Sequence, residues 1–197
     1  DRRRQHAGEA PGSWALQGLL SFFLSAEGRA SGIALNIVPM MDVDGVFRGD
    51  YGKTVAPDDF WEDWGGTSVH PEVAATRVAI SGWAARAPYD LLLDLHAPTP
   101  SAETHAYGVP APTPELESDR SRLMALIKAA QDCPFSATAG STVRDPDLIA
   151  RCTQGAQMAE YAALALCLEF AYHRAAAGSL VGPDSLARLG YAVGAAA

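Results

Sequence analysis

One apolar segment constrains the fold more than any other feature of the chain. Residues 89–96 read YDLLLDLH, with leucine at both odd and even positions. Alternate side chains of a strand point to opposite faces, so this pattern predicts a strand that is covered on both sides. A sheet with such a strand at its centre needs helices on both of its faces. We therefore expect an α/β fold built around residues 89–96.

The remaining patterns predict further helices and strands around this segment. We expect helices at about 11–24, 70–86 and 116–130, and a closing helix that begins near Asp184. Ile33–Met41 is predicted to be a buried strand, and a short strand is expected near Phe135–Ala139. Residues 162–172 fit a strand or a helix equally well, and long irregular connections are expected at 42–66 and 97–115. No repeat or second domain is evident, so residues 1–197 are predicted to form one domain.

Composition and charge exclude several classes of function. The chain has 15 basic and 23 acidic side chains and a formal net charge of −8. A nucleic-acid-binding protein or one that docks on anionic lipid needs a basic surface, so neither partner is expected. A hydrophobic content of 48% is too high for a disordered chain. The three cysteines are too few for a disulfide scaffold, and no apolar stretch is long enough to span a membrane.

Two histidines have settings that suggest a metal site. His6 lies three residues before Glu9 at the start of a predicted helix, and His96 ends the central strand, where α/β proteins place functional side chains. Two imidazoles and one carboxylate form a ligand set typical of catalytic zinc. From these residues alone, a solvated His6 and a hydrogen-bonded core His96 are the favoured interpretation.

Four segments, in chain order, resemble the zinc metallocarboxypeptidase family. The segment RRRQHAGEAPGSWALQGLL resembles its zinc-binding segment, VPMMDVDGVFRGDYGK resembles its P-x-x-NPDG turn, and LLLDLHAP resembles the strand that carries its third ligand. LALCLEFAY, followed by PDSLARLGYAVG, resembles its catalytic strand and the helix after it. The resemblance is greatest for the cytosolic or bacterial branch. It implies a mixed, mostly parallel sheet sandwiched by helices and one zinc ion.

Carried over to this chain, the resemblance makes His6, Glu9 and His96 the zinc ligands. It makes Glu169 the general base and acid; a strand glutamate that faces solvent is the alternative, but an acid among Leu168 and Phe170 needs a metal or a partner. Asp59 matches a family aspartate that orients a histidine ligand, here His6. By the two-residue strand period, Asp94 shares a face with His96 and is a second supporting candidate, unless it caps a neighbouring loop.

The sequence departs from the family where the substrate's terminal carboxylate is held. The family has Asn and Arg at the positions of Trp61 and Glu62, and a glutamate there repels a carboxylate. The family's oxyanion arginine is also missing, and Lys53 is either its replacement or a solvated loop residue. Arg48 or Arg144 is an alternative carboxylate anchor. The mobile tyrosine of the family cannot be placed, since Tyr107, Tyr161 and Tyr172 are all candidates.

These departures predict altered substrate recognition. Residues 42–63 carry seven acidic side chains against two basic ones, which favours a cationic or neutral substrate. We expect a peptide or small amide substrate, no nucleic-acid or membrane partner, and a cytoplasmic location. The chain is also expected to lack the strands that precede the first zinc motif in the family. Two alternatives are a deacylase of N-acyl amino acids, which shares the His-x-x-Glu…His arrangement, and an inactive binding module on the same fold.

Overall fold

A computed structural model describes residues 2–3, 5–53, 55–129, 143–174 and 180–197. The strands are β1 (Arg2–Arg3), β2 (Leu91–His96), β3 (His105–Tyr107) and β4 (Leu164–Glu169). The helices are α1 (Ala10–Phe23), α2 (Ala26–Ala30), α3 (Val43–Arg48), α4 (Pro71–Ala84), α5 (Pro114–Ala129), α6 (Pro146–Arg151), α7 (Thr153–Tyr161) and α8 (Pro183–Ala196). Within these ranges no helix has the length and apolarity needed to cross a bilayer.

The strands form one mixed sheet in the order β1-β2-β4-β3. Strands β1, β2 and β4 are parallel, and β3 lies antiparallel at the edge. The register pairs Asp94 with Cys167 and His96 with Glu169, so these four side chains share one face of the sheet. The predicted central strand at residues 89–96 is confirmed as β2, and the ambiguous segment 162–172 contains a strand.

Helices cover both faces of this sheet, as the α/β prediction requires. On one face, leucines of β2 and β4 form the main core with apolar side chains of α1, α5 and α8. The opposite face is apolar only near the start of the strands, where Leu92 and Ala165 pack against Met158 of α7. Towards the carboxyl ends of the strands this face turns polar. A buried polar region therefore lies at the carboxyl ends of β2 and β4.

The predicted strand at Ile33–Met41 is wrong. The segment contains no strand beyond an isolated bridge at Val38, and Ile33 is 46% exposed. Two of its apolar residues are partly buried elsewhere: Leu35 packs against the main core, and Val38 packs against a second cluster around Trp64. Residues 32–36 also line a cleft of about 560 Å³ that they share with the first half of β2. The apolar pattern thus reflects burial without backbone pairing.

Both connections predicted to be irregular contain short elements. Helix α3 lies in the loop at 42–66, where Asp42 Oδ1 accepts a hydrogen bond from the backbone nitrogen of Gly45 at 2.8 Å. Strand β3 lies in the proline-rich connection at 97–115. Helices α6 and α7 were not predicted, and the strand expected near Phe135–Ala139 lies outside the described residues.

Helices α1 and α8 cross at two glycines. A Cβ atom added to Gly18 would lie 1.7 Å from the carbonyl oxygen of Ala187, and one added to Gly190 would lie 1.7 Å from that of Ala15. No side chain fits at either position unless the helices move apart. Since these helices cover the main core, their spacing fixes how α1 meets the sheet.

We expect Gly18→Ala to lower the free energy of unfolding by about 1–3 kcal/mol, because the added methyl overpacks the crossing. Gly82→Ala in α4 is the matched control, since a Cβ atom there meets nothing within 4 Å. That control should gain about 0.5–1 kcal/mol from the better helix propensity of alanine. Urea unfolding followed by circular dichroism measures both changes, and equal stabilities of the two variants would contradict the described crossing.

Candidate metal centre

The end of β2 and the turn between β1 and α1 bring His6, Glu9 and His96 together. His96 ends β2, while His6 and Glu9 lie in the turn between β1 and α1. Helix α1 begins close to the sheet, because a Cβ atom on Gly12 would lie only 2.8 Å from the carbonyl oxygen of Leu95. Glycine at this position therefore allows the turn to reach the end of β2. All three side chains are buried, and Glu9 has no exposed surface.

The donor atoms of these residues are spaced as ligands of one metal ion are. His6 Nδ1 lies 3.0 Å from Glu9 Oε1, His96 Nδ1 lies 2.8 Å from Glu9 Oε2, and the two Nδ1 atoms are 3.2 Å apart. In a tetrahedral zinc site with bonds of 2.0–2.1 Å, neighbouring donor atoms are separated by about 3.3 Å. The two imidazoles and the carboxylate thus fit a zinc ion in both chemistry and spacing.

Each histidine turns its other ring nitrogen towards a second carboxylate. His6 Nε2 lies 3.4 Å from Asp59 Oδ2, and His96 Nε2 lies 3.1 Å from Asp94 Oδ2. Such outer carboxylates fix the ring orientation of metal-bound histidines and raise their basicity. The structure places Asp59 and Asp94 where the sequence analysis expected supporting residues.

Residues that the sequence analysis missed hold Asp94 in turn. Its Oδ2 accepts hydrogen bonds from Gln5 Nε2 at 2.6 Å and from Gln154 Nε2 at 2.9 Å. Gln5 is also bound by Trp64 Nε1 at 2.9 Å and by Thr153. Gln5 directly precedes His6, so its position in the motif was a usable signal. Thr153 and Gln154 follow no recognisable pattern, and only the fold brings them here.

The pKa values within the cluster follow from these contacts. Burial raises the pKa of Glu9, but the charge of His96 and hydrogen bonds from His6 and His96 outweigh it and hold that pKa well below its usual range. Burial lowers the pKa of His6, yet its contacts with Asp59 and Glu9 leave it above the ordinary value. For His96 burial again lowers the pKa, and Asp94 and Glu9 raise it well above that value. The carboxylates of the cluster therefore favour the protonated, positively charged forms of His6 and His96.

Glu169 lies beside this cluster on the neighbouring strand. Its side chain is buried, and among the described residues its Oε2 atom has no hydrogen-bond partner. Burial raises the pKa of Glu169 above its ordinary value, although His96 and Lys53 partly oppose the rise. An acceptor oxygen that is buried without a partner is costly unless it faces a bound group. Glu169 thus borders the cluster with a buried oxygen that no described residue satisfies.

Lys53 reaches the same cluster from the loop after α3. Its Nζ atom donates to Glu9 Oε1 at 2.7 Å and to the carbonyl oxygen of Ala97 at 2.9 Å. Burial lowers the pKa of Lys53, but the Glu9 carboxylate outweighs it and raises the pKa, so the amine stays protonated. Lys53 is therefore part of the buried site rather than a solvated loop residue.

The residues proposed for substrate binding are differently placed. Glu62 forms an ion pair with Arg151 of α6, which also lies 3.4 Å from Asp58. Trp61 donates from Nε1 to Gln154 at 2.8 Å. Arg48 lies on the surface and pairs with Asp50 at 2.8 Å.

The remaining candidates from the sequence are one arginine and three tyrosines. Arg144 is exposed. Tyr161 packs against Tyr89, and Tyr107 is hydrogen-bonded to Cys167 across the sheet. The Tyr172 hydroxyl lies 3.4 Å from the carbonyl oxygen of Gly8, in the turn that carries two of the ligands. Tyr172 thus contacts the turn that holds His6 and Glu9.

We expect zinc binding to strengthen as the pH rises. Metal ligation requires neutral imidazoles, and the raised pKa values of His6 and His96 mean that zinc must displace protons near neutral pH. Lowering the pH therefore favours the protonated, metal-free form. Calorimetric titrations at pH 6 and pH 8, in buffers with different ionisation enthalpies, measure affinity and proton release. Equal affinities with no proton release would contradict this assignment of the ligands.

Comparisons with known proteins show which sequences and folds the chain resembles. No family model matches the chain. It is 29% identical over 113 residues to cytosolic carboxypeptidase 6 of Caenorhabditis elegans, a match that covers 53% of this chain and 25% of the relative. It is 29% identical over 80 residues to cytosolic carboxypeptidase 1 of Xenopus laevis, covering 38% of this chain and 6% of that protein. The matches thus span a quarter or less of these relatives.

Solved structures resemble the chain over almost its whole length. A metallo-carboxypeptidase from Burkholderia cenocepacia superposes with a TM-score of 0.82 at 22% identity, covering 99% of this chain and 54% of that one. A metallo-carboxypeptidase from Pseudomonas aeruginosa, in complex with (2-guanidinoethylmercapto)succinic acid, gives a TM-score of 0.78 at 23% identity, with the same coverage. These likenesses confirm the predicted fold class, and the chain spans about half of each structure. Together with the sequence matches, they show that the chain has the fold of metallo-carboxypeptidases and is similar in sequence to cytosolic carboxypeptidases.

Proposed function

We propose that the chain is the part of a zinc-dependent carboxypeptidase-like hydrolase that carries its metal ligands and its general base. One observation carries the proposal: two buried imidazole nitrogens lie 3.2 Å apart and within 2.8–3.0 Å of the two oxygens of the buried Glu9 carboxylate, with an outer carboxylate behind each histidine. A zinc ion held by His6, Glu9 and His96 would activate water and polarise the scissile carbonyl.

In this proposal Glu169 moves the protons of the reaction. Its carboxylate accepts a proton from the attacking water as the water oxygen bonds to the carbonyl carbon. The same proton then passes to the amide nitrogen as the carbon–nitrogen bond breaks, which regenerates the carboxylate. The raised pKa of Glu169 suits this exchange, because a stronger base takes the proton more readily at neutral pH.

The chain end of the substrate meets an ion pair instead of a lone arginine. Glu62 carries a negative charge where the family carries a positive one, and Arg151 compensates it from α6. Arg48 is engaged with Asp50 at the surface. We infer that recognition of a terminal carboxylate is weakened by Glu62 and depends on Arg151. The substrate expected from this arrangement is a peptide or small amide whose end group is neutral or cationic.

Glu169→Gln should remove turnover and keep the metal. Loss of the proton acceptor should lower kcat by about 10²–10⁴-fold, whereas zinc content should stay the same because Glu169 is not among the ligands. Glu160→Gln is the matched control, since Glu160 is exposed on α7. Substrates are a panel of peptides with free and amidated ends together with N-acyl amino acids.

Each outcome of that assay has a clear meaning. Unchanged turnover in Glu169→Gln would remove this residue from the mechanism. Turnover of N-acyl amino acids alone would identify a deacylase. Stoichiometric zinc without turnover of any substrate in the wild-type chain would favour a binding module.

Glu62→Gln should shift selectivity towards free carboxyl ends. Removing the negative charge releases Arg151, so we expect the kcat/KM ratio of free-acid to amidated peptides to rise about two- to fivefold, as for a partly exposed ion pair. Glu27→Gln on α2 is a control for a general change of charge, because Glu27 is exposed and distant in sequence. An unchanged ratio would show that position 62 does not face the end of the substrate.

A further inference from the structure

The Glu9 carboxylate uses its two oxygens differently. Oε2 faces His96 Nδ1 at 2.8 Å. Oε1 receives Lys53 Nζ at 2.7 Å in addition to His6 Nδ1 at 3.0 Å. An ammonium group in direct contact occupies one side of Oε1, whereas among the described residues the contact of Oε2 is with His96. Oε1 of the carboxylate is therefore already engaged by Lys53 before any metal binds.

The backbone fixes Lys53 in this place. Gly52 has a positive φ of 89°, and a Cβ atom on it would lie 2.4 Å from the backbone nitrogen of Ala7. The backbone nitrogen of Gly8 donates to the carbonyl oxygen of Tyr51 at 2.9 Å. The loop that carries Lys53 is thus packed directly on the turn that carries His6 and Glu9. The Ala97 carbonyl, one residue beyond His96, takes a second hydrogen bond from the ammonium group.

The charges around the centre favour a cation at this position even when a metal is bound. Four carboxylates belong to the centre or adjoin it: those of Glu9, Asp59, Asp94 and Glu169. A divalent ion neutralises two of these charges, so two negative charges remain. The Lys53 ammonium offsets one of them. Lys53 and a metal ion are for this reason compatible neighbours of the same carboxylate.

We propose that Lys53 is a positioning residue that holds the Oε1 atom of Glu9 and leaves the Oε2 atom to bind the metal. This inference rests on the proposed zinc site and deepens it. A carboxylate that binds through one oxygen occupies one coordination position, which keeps further positions open for water and substrate. Lys53 then acts through Glu9, in contrast to the sequence expectation that it stabilises the substrate's oxyanion directly.

Lys53→Met tests the proposal through metal binding rather than activity. Loss of an outer partner of a metal ligand typically weakens metal affinity by about 10–100-fold, and we expect a change of this size in zinc affinity measured by competition with a chelator. The Co²⁺-substituted variant should also change its visible absorption spectrum, because the freed Oε1 atom becomes available to the metal. Lys53→Arg keeps the positive charge and should restore most of the affinity and the wild-type spectrum.

Lys128→Met is the matched control, because Lys128 is the other lysine of the chain and is exposed on α5. Equal or tighter zinc binding by Lys53→Met with an unchanged cobalt spectrum would overturn the positioning role and leave the zinc site intact. A wild-type chain that binds neither zinc nor cobalt would overturn the zinc site and this proposal together. If Lys53→Met does not fold, as judged by circular dichroism, Lys53→Gln takes its place with the same expected loss.

Discussion

A single buried negative charge organises the polar half of this fold. Glu9 has no exposed surface, and burying an unpaired carboxylate is prohibitively expensive, so its partners must be supplied by the chain or by a metal. Those partners come from three separate places: the turn that precedes α1, the end of β2 and the loop after α3. The ion pairs and hydrogen bonds of one carboxylate thus fix how these three segments are positioned relative to the sheet.

The sequence was most informative where chemistry and secondary structure coincide. The run of leucines before His96 predicted both a central strand and a functional residue at its carboxyl end, and the strand is confirmed. The His6–Glu9 spacing indicated a ligand pair, and the structure brings both residues to His96. The sequence analysis named Asp59 and Asp94 as supporting candidates, but the ring nitrogen that each one contacts is defined only by the folded geometry. The ligand roles themselves stay predictions until a metal is measured.

Sequence patterns misled where a residue type serves two purposes. The apolar segment Ile33–Met41 looked like a strand because burial and backbone pairing leave the same signature. Part of the acidity of residues 42–63 is compensated by contacts that the sequence does not reveal. Asp42 and Asp63 accept hydrogen bonds from backbone nitrogens, and Arg151, which lies 89 residues from Glu62 in the chain, neutralises part of the remaining charge. Local counting cannot detect compensation from a distant helix.

The register between β2 and β4 has a consequence for how such a protein changes over evolution. His96 and Glu169 are direct partners in neighbouring parallel strands, so backbone hydrogen bonds within the sheet set the separation between the proposed metal ligand and the proposed proton acceptor. Glu62 and Arg151, in contrast, lie on a loop and at the end of a short helix. Under the proposed function, bond-breaking chemistry belongs to the rigid framework, whereas selectivity belongs to peripheral segments that tolerate substitution and insertion. One catalytic apparatus can therefore be inherited unchanged while its substrates diverge.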